Sequence, residues 1–77
     1  MPRLPSLKAR ELIKVLHKLE FYEIRQKGSH RFFYRDKDNR ATSVPIHTKD
    51  IGRGLLRKIL NEINISPEEF TRLRKKR

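Results

Sequence analysis

The 77-residue chain has no cysteine, no tryptophan, three glycines and only nine acidic residues. Without cysteine, neither a disulfide nor a thiolate metal site can staple the fold, and the absence fits a reducing cytoplasm. No apolar run approaches the ~20 residues of a membrane span, and the N-terminus lacks the apolar core of a signal peptide. A soluble, cytoplasmic protein with no membrane partner is expected. The scarce acids form no cluster suited to magnesium, and His17, His30 and His47 lack metal-ligand spacing. Neither a Gly-rich nucleotide loop nor a serine-nucleophile motif is present, so no cofactor and no metal is expected. With 35% hydrophobic residues, one thin core is affordable in so short a chain, and any site is a surface groove. The whole length, 1–77, reads as one domain.

What the chain has in excess is positive charge. Twenty Lys and Arg against the nine acids give +11, which points to a polyanionic partner, nucleic acid before an anionic membrane surface. The stretch 72–77 holds five of those cations and reads as a basic, frayed tail. Without it the balance is fifteen against nine, still +6, so the folded part is itself basic.

The order of elements follows from periodicity and breakers. Ser6 suits an N-cap, and Leu7, Leu12, Ile13, Leu16 and Leu19 keep a helical stripe, predicting a helix from about Leu7 to Glu20. Phe21 to Lys27 reads as a strand, broken by Gly28-Ser29. His30 to Arg35, with Phe32, Phe33 and Tyr34, reads as a second strand. Asp36-Lys37-Asp38-Asn39 is turn chemistry, and Ala41 to Pro45 a third strand. Thr48 or Asp50 then caps a helix whose apolar face is Ile51, Leu55, Leu56, Ile59, Leu60 and Ile63, with Asn64 suited to its end. Ser66-Pro67-Glu68-Glu69 is a capping box that opens a short helix to about Leu73. The predicted class is α+β: α-β-β-β-α(-α), a three-stranded antiparallel sheet with helices on one face.

The other face of such a sheet is open. Strand alternation puts His30, Phe32 and Tyr34 on one side and Arg31, Phe33 and Arg35 on the other. Either Phe33 packs under the helices, or Phe32 and Tyr34 do and His30 sits at the rim. The first is preferred, because it sets a histidine beside aromatics on an exposed basic surface.

Chemistry concentrates in Arg25-Gln26-Lys27-Gly28-Ser29-His30-Arg31, which contains no acid. Lys27 and Arg31 can neutralise phosphate oxygens, Gly28 permits close backbone approach, and Ser29 offers a hydroxyl. His30 can exchange protons near neutral pH. A plain hairpin turn with an ordinary polar histidine has the same residues. His47 stands at the entry to the second long helix, where free N–H groups suit a phosphate, and Arg53 and Arg57 share a face of that helix. His47 could equally serve only the helix entrance. Gly52 and Gly54 sit inside the predicted helix, where each costs roughly 1 kcal/mol, and either close packing or close approach of RNA would justify them.

Taken together, these stretches resemble the HicA family of toxin–antitoxin systems. The likeness is carried by Leu4-Pro5, Arg25 to His30, Val44-Pro45-Ile46-His47, Gly54, Leu56-Arg57-Lys58-Ile59-Leu60 and Ile65 to Phe70, and spans about residues 4 to 71. The resemblance implies a double-stranded-RNA-binding-domain-like fold, cleavage of mRNA and inhibition by a HicB-type antitoxin. The family's essential histidine falls on His30.

The expected reaction is attack of an RNA 2′-OH on the adjacent phosphorus, with His30 as base and Lys27, Arg31 and Ser29 stabilising the developing charge. Water or His47 would protonate the leaving oxygen. Two non-catalytic readings use the same charge: a double-stranded-RNA-binding module, and DNA binding through the last two helices as a helix-turn-helix. The latter leaves Gly28-Ser29-His30 without a role.

Overall fold

The computed structural model describes residues 7–46 and 50–75. Ser6, His47 and Thr48 therefore lie outside the described residues. The elements run α1 (Ala9–Lys18), β1 (Tyr22–Lys27), β2 (His30–Arg35), β3 (Arg40–Pro45), α2 (Arg53–Glu62) and α3 (Pro67–Lys75). The three strands form an antiparallel meander in the order β1-β2-β3. This is the double-stranded-RNA-binding-domain-like arrangement expected from the sequence.

The helices pack on one side of the sheet. Phe33, Thr42 and Val44 point into that layer and are buried, together with Leu12, Val15 and Leu16 of α1, Leu56, Ile59 and Leu60 of α2, and Phe70 of α3. Burying Phe33 alone removes enough apolar surface for roughly 2–3 kcal/mol. Glu62 ties α2 to β3: its carboxylate accepts from the Thr42 hydroxyl (2.7 Å), and its carbonyl accepts from Arg40 (3.2 Å).

Both long helices begin later than periodicity suggests. Leu7 and Ile51 are buried, but neither is helical. They exchange two backbone hydrogen bonds as an isolated antiparallel bridge (3.3 and 2.6 Å), so their apolar side chains reach the core from extended backbone. α1 is then capped from Lys8, whose N–H donates to the Glu11 carboxylate at 3.1 Å. Gly52, not Asp50, is the N-cap of α2, and Gly54 lies in its first turn. Among the described residues, a Cβ added at either glycine meets nothing within 4 Å, so packing among these residues does not require them.

Helix ends follow their local chemistry. Asn64 takes φ +60°, and the next N–H, of Ile65, reaches back to the Leu60 carbonyl (3.0 Å). Glu20 plays the same part after α1 at φ +71°, with Phe21 N–H bonded to the Leu16 carbonyl (2.9 Å). The Ser66 hydroxyl accepts the Glu69 N–H, as a capping box requires (3.1 Å). α3 runs on through Lys75, so residues 72–75 are helical rather than a loose tail. Arg74 pairs with Glu11 of α1 (3.3 Å), and Lys18 donates to the Leu73 carbonyl (2.8 Å).

Candidate RNA-facing site on the open sheet

β1 and β2 are joined by the two-residue turn Gly28-Ser29. Gly28 has φ +59°, and positive φ at the first loop position is the demand that glycine meets in a type II′ hairpin turn. Across this turn Lys27 is the direct partner of His30. On the other side His30 pairs with Pro45. Just beyond, the Ile46 N–H donates to the Ser29 carbonyl at 2.7 Å. The segments Gly28-Ser29-His30 and Val44-Pro45-Ile46, far apart in sequence, are thus neighbours at one end of the sheet.

The face question is answered by Phe33, which is fully buried, while His30 is exposed and Phe32 and Tyr34 are half-buried. His30, Phe32 and Tyr34 therefore look away from the helices. A bulge completes this surface. The register runs Tyr22 opposite Tyr34, Glu23 opposite Phe33, then Arg25 opposite Phe32 and Lys27 opposite His30, with Ile24 as the extra residue. Cross-strand partners share a face, so Tyr22, Arg25 and Lys27 all join the open side. The Arg25 guanidinium lies 4.8 Å from the centre of the Phe32 ring, and the Tyr22 and Tyr34 rings meet edge to face at 6.0 Å.

Of the residues singled out in the sequence, Arg25, Lys27, Gly28, Ser29 and His30 are brought together at this end of the open sheet. Arg31 is not. It points to the helix side and is engaged by Glu23, which accepts from its Nε (2.9 Å) and its NH2. That pairing holds the Glu23 carboxyl below its ordinary range, with the hydrogen bond from Arg31 as the chief cause. Arg53 and Arg57 are exposed on α2, in the layer behind the sheet. His47 lies outside the described residues.

Two features escaped the sequence. Tyr22 belongs to the His30 face only because of the bulge, which leaves no mark in residue periodicity. The second is Arg35, whose side chain is 8% exposed. It donates to Asp38 (3.0 and 2.7 Å) and to the Leu19 carbonyl (3.1 Å), and lies 4.5 Å from the centre of the Phe21 ring. It is a structural cation, inside the protein rather than facing a ligand. Among the described residues no group of three or more His, Cys, Asp or Glu is placed to hold a metal ion, and no helix is long and apolar enough to cross a membrane.

A small basic α+β domain that exposes one sheet face, with a histidine flanked by cations at its turn end, belongs to the proteins built like double-stranded-RNA-binding domains. The particular family follows from sequence comparison. Residues 9–65 match the model of the HicA toxin of bacterial toxin–antitoxin systems. The match covers most of the chain, which belongs to the HicA family and is the toxin of a toxin–antitoxin system. No curated protein matches it.

Proposed function

We propose that this toxin is a metal-independent endoribonuclease that cuts mRNA at His30 and is silenced by a HicB-type antitoxin. The observation that carries the reading is the grouping of His30 with Lys27 and Arg25 on the open sheet face, at the end where Gly28-Ser29 meets Ile46. The imidazole takes the proton from a 2′-OH. The new 2′-oxygen bond to phosphorus forms as the bond to the 5′-oxygen breaks, leaving a 2′,3′-cyclic phosphate and a 5′-OH. Lys27 faces the charge that develops on the phosphoryl oxygens, and Arg25 holds the strand beside it. The proton for the departing 5′-oxygen comes from water or from His47. Gly28 lets the strand come close to the turn, Ser29 supplies a hydroxyl there, and Arg53 and Arg57 add phosphate affinity along α2. DNA, lacking the nucleophile, is inert.

An antitoxin surface that covers this face is acidic, by charge complementarity. Such a pair acts in the cytoplasm, where mRNA is available.

The test is incubation of the purified chain and of His30→Ala with a long single-stranded RNA in EDTA, followed by a denaturing gel and mass spectrometry of the ends. Cleavage by the parent alone, with cyclic phosphate ends, is the expected result. Ends carrying 3′-OH and 5′-phosphate would sink the mechanism. If both proteins bind RNA equally and neither cuts, the chain is a non-catalytic RNA-binding module.

A further inference from the structure

Aromatic rings are costly to leave in water, yet this chain keeps three of its six together on the sheet face away from its core. Tyr22 is 43% exposed, and Tyr34 and Phe32 are half-buried beside it. Their positions are fixed. The Tyr22 hydroxyl donates to Asp36 at 3.0 Å, and the Tyr34 hydroxyl donates to the side chain of Asn39, so the β2–β3 turn holds both rings upright.

We propose that this face is a stacking track for the bases of single-stranded RNA, leading to His30. The inference rests on the reading of His30 as the cutting residue, and adds the form of the substrate. Tyr34, Phe32 and His30 alternate along one strand, so same-face neighbours are about 7 Å apart, close to the phosphate-to-phosphate step of an extended polynucleotide. Every base has a π-face, and stacking on aromatic rings or on an Arg plane needs no particular sequence. Arg25 lies over Phe32 and presents both a charge and a flat surface. Arg25 and Lys27 lie on this face toward the His30 end, and Asp36 lies in the turn at the other end, where Asp38 is neutralised by Arg35 and Arg40. Phosphates are drawn toward the histidine while bases lie on the rings behind it. In a duplex the bases face each other and cannot reach such a platform, so the track selects single strands.

The probe is an RNA oligonucleotide of about ten residues, a length within the range one small binding face spans. It is fully 2′-O-methylated and carries one 2-aminopurine. The methyl groups remove the nucleophile, so binding is read whether or not His30 cuts. Quenching of 2-aminopurine on the parent protein, and about tenfold weaker binding for each of Tyr22→Leu and Phe32→Leu, is expected. Phe32→Tyr should retain the affinity, and the same oligonucleotide annealed to its complement should bind about tenfold less tightly. Tyr22→Leu alters an exposed side chain outside the core, so its result stands even if Phe32→Leu unfolds. Equal affinity for duplex and single strand, or ring substitutions that leave binding unchanged, would overturn the track and leave the rings to a protein partner. Stacking without cleavage of unmodified RNA would keep the track and remove the catalytic reading.

Discussion

Arg31 and Glu23 are joined across β1 and β2 on the helix side of the sheet, on the opposite face of β2 from His30. Arg31 is the immediate chain neighbour of His30, so proximity in sequence suggests a phosphate contact that the strand's alternation denies. Lys27, three residues from His30 in the chain, is its partner across the turn.

The two cations should therefore separate in an assay. Lys27→Ala is expected to lower RNA cleavage by about tenfold or more, through loss of charge facing the phosphate. Arg31→Ala should leave the cleavage rate within about twofold and cost no more than about 1 kcal/mol of stability, as part-exposed pairs do. Initial rates beside urea unfolding of both variants decide this. Equal losses of rate would return Arg31 to the site.

Glycines at two positions should respond with opposite signs. Gly28→Ala places a Cβ at φ +59° and should cost about 1 kcal/mol, lowering Tm by roughly 4–8 °C. Gly54→Ala, in the first turn of α2 with open space around it, should gain about 0.5–1 kcal/mol. Thermal melts of the two variants check both signs.

Glu20 holds a left-handed conformation at the end of α1 at φ +71°, where a side chain is a liability. Glu20→Gly should stabilise by about 1 kcal/mol, since among the described residues the ion pair it loses is a long exposed one to Lys37 at 4.0 Å. A lower melting temperature would show that this pair matters more than the backbone.

Arg35→Ala should be the most damaging change outside the apolar core, at about 2–3 kcal/mol. It removes packing on Phe21 and leaves the Leu19 carbonyl without this donor. Arg35→Lys should fail to restore stability, because an ammonium cannot bridge Asp38 and stack on the ring at once. Chemical denaturation of both variants gives the answer.

Acid should weaken the fold through the same groups. The Arg35 guanidinium holds the Asp38 carboxyl below its ordinary value of 3.8, and Arg31 does the same for Glu23. The N–H of Lys8 is the chief cause of the lowering at Glu11. A carboxyl whose value is lowered by folding adds stability above its unfolded value and loses it as pH falls through the folded one. Urea midpoints should therefore hold from neutrality to about pH 5 and decline below about pH 4. Asp38→Asn should flatten part of that decline. An unchanged slope would exclude Asp38 as a contributor.

The meander and all three helices were legible because each boundary has its own chemical marker: Gly28-Ser29 between strands, Asp36 to Asn39 at the second turn, Ser66-Pro67 before α3. The starts of α1 and α2 were not. Leu7 and Ile51 satisfy an apolar stripe, and only their mutual backbone bonds, between residues distant in sequence, make them extended. Of the site, alternation along β2 left two faces open for His30, and the burial of Phe33 chose between them. The off-face placement of Arg31 followed from the same alternation, but its partner Glu23 lies on another strand. Pairing across strands is information that a single segment does not carry.

The bulge at Ile24 makes this surface depend on a count of residues as much as on their kinds. Five positions separate Tyr22 from Lys27 while four separate Tyr34 from His30, and the odd residue is what brings cation and aromatic to the same side. Deleting Ile24 would change neither charge nor core composition. It would nevertheless turn either Tyr22 or Arg25 and Lys27 inward. A change in the length of β1 would therefore split the basic end of the sheet from its rings even if every remaining residue kept its kind.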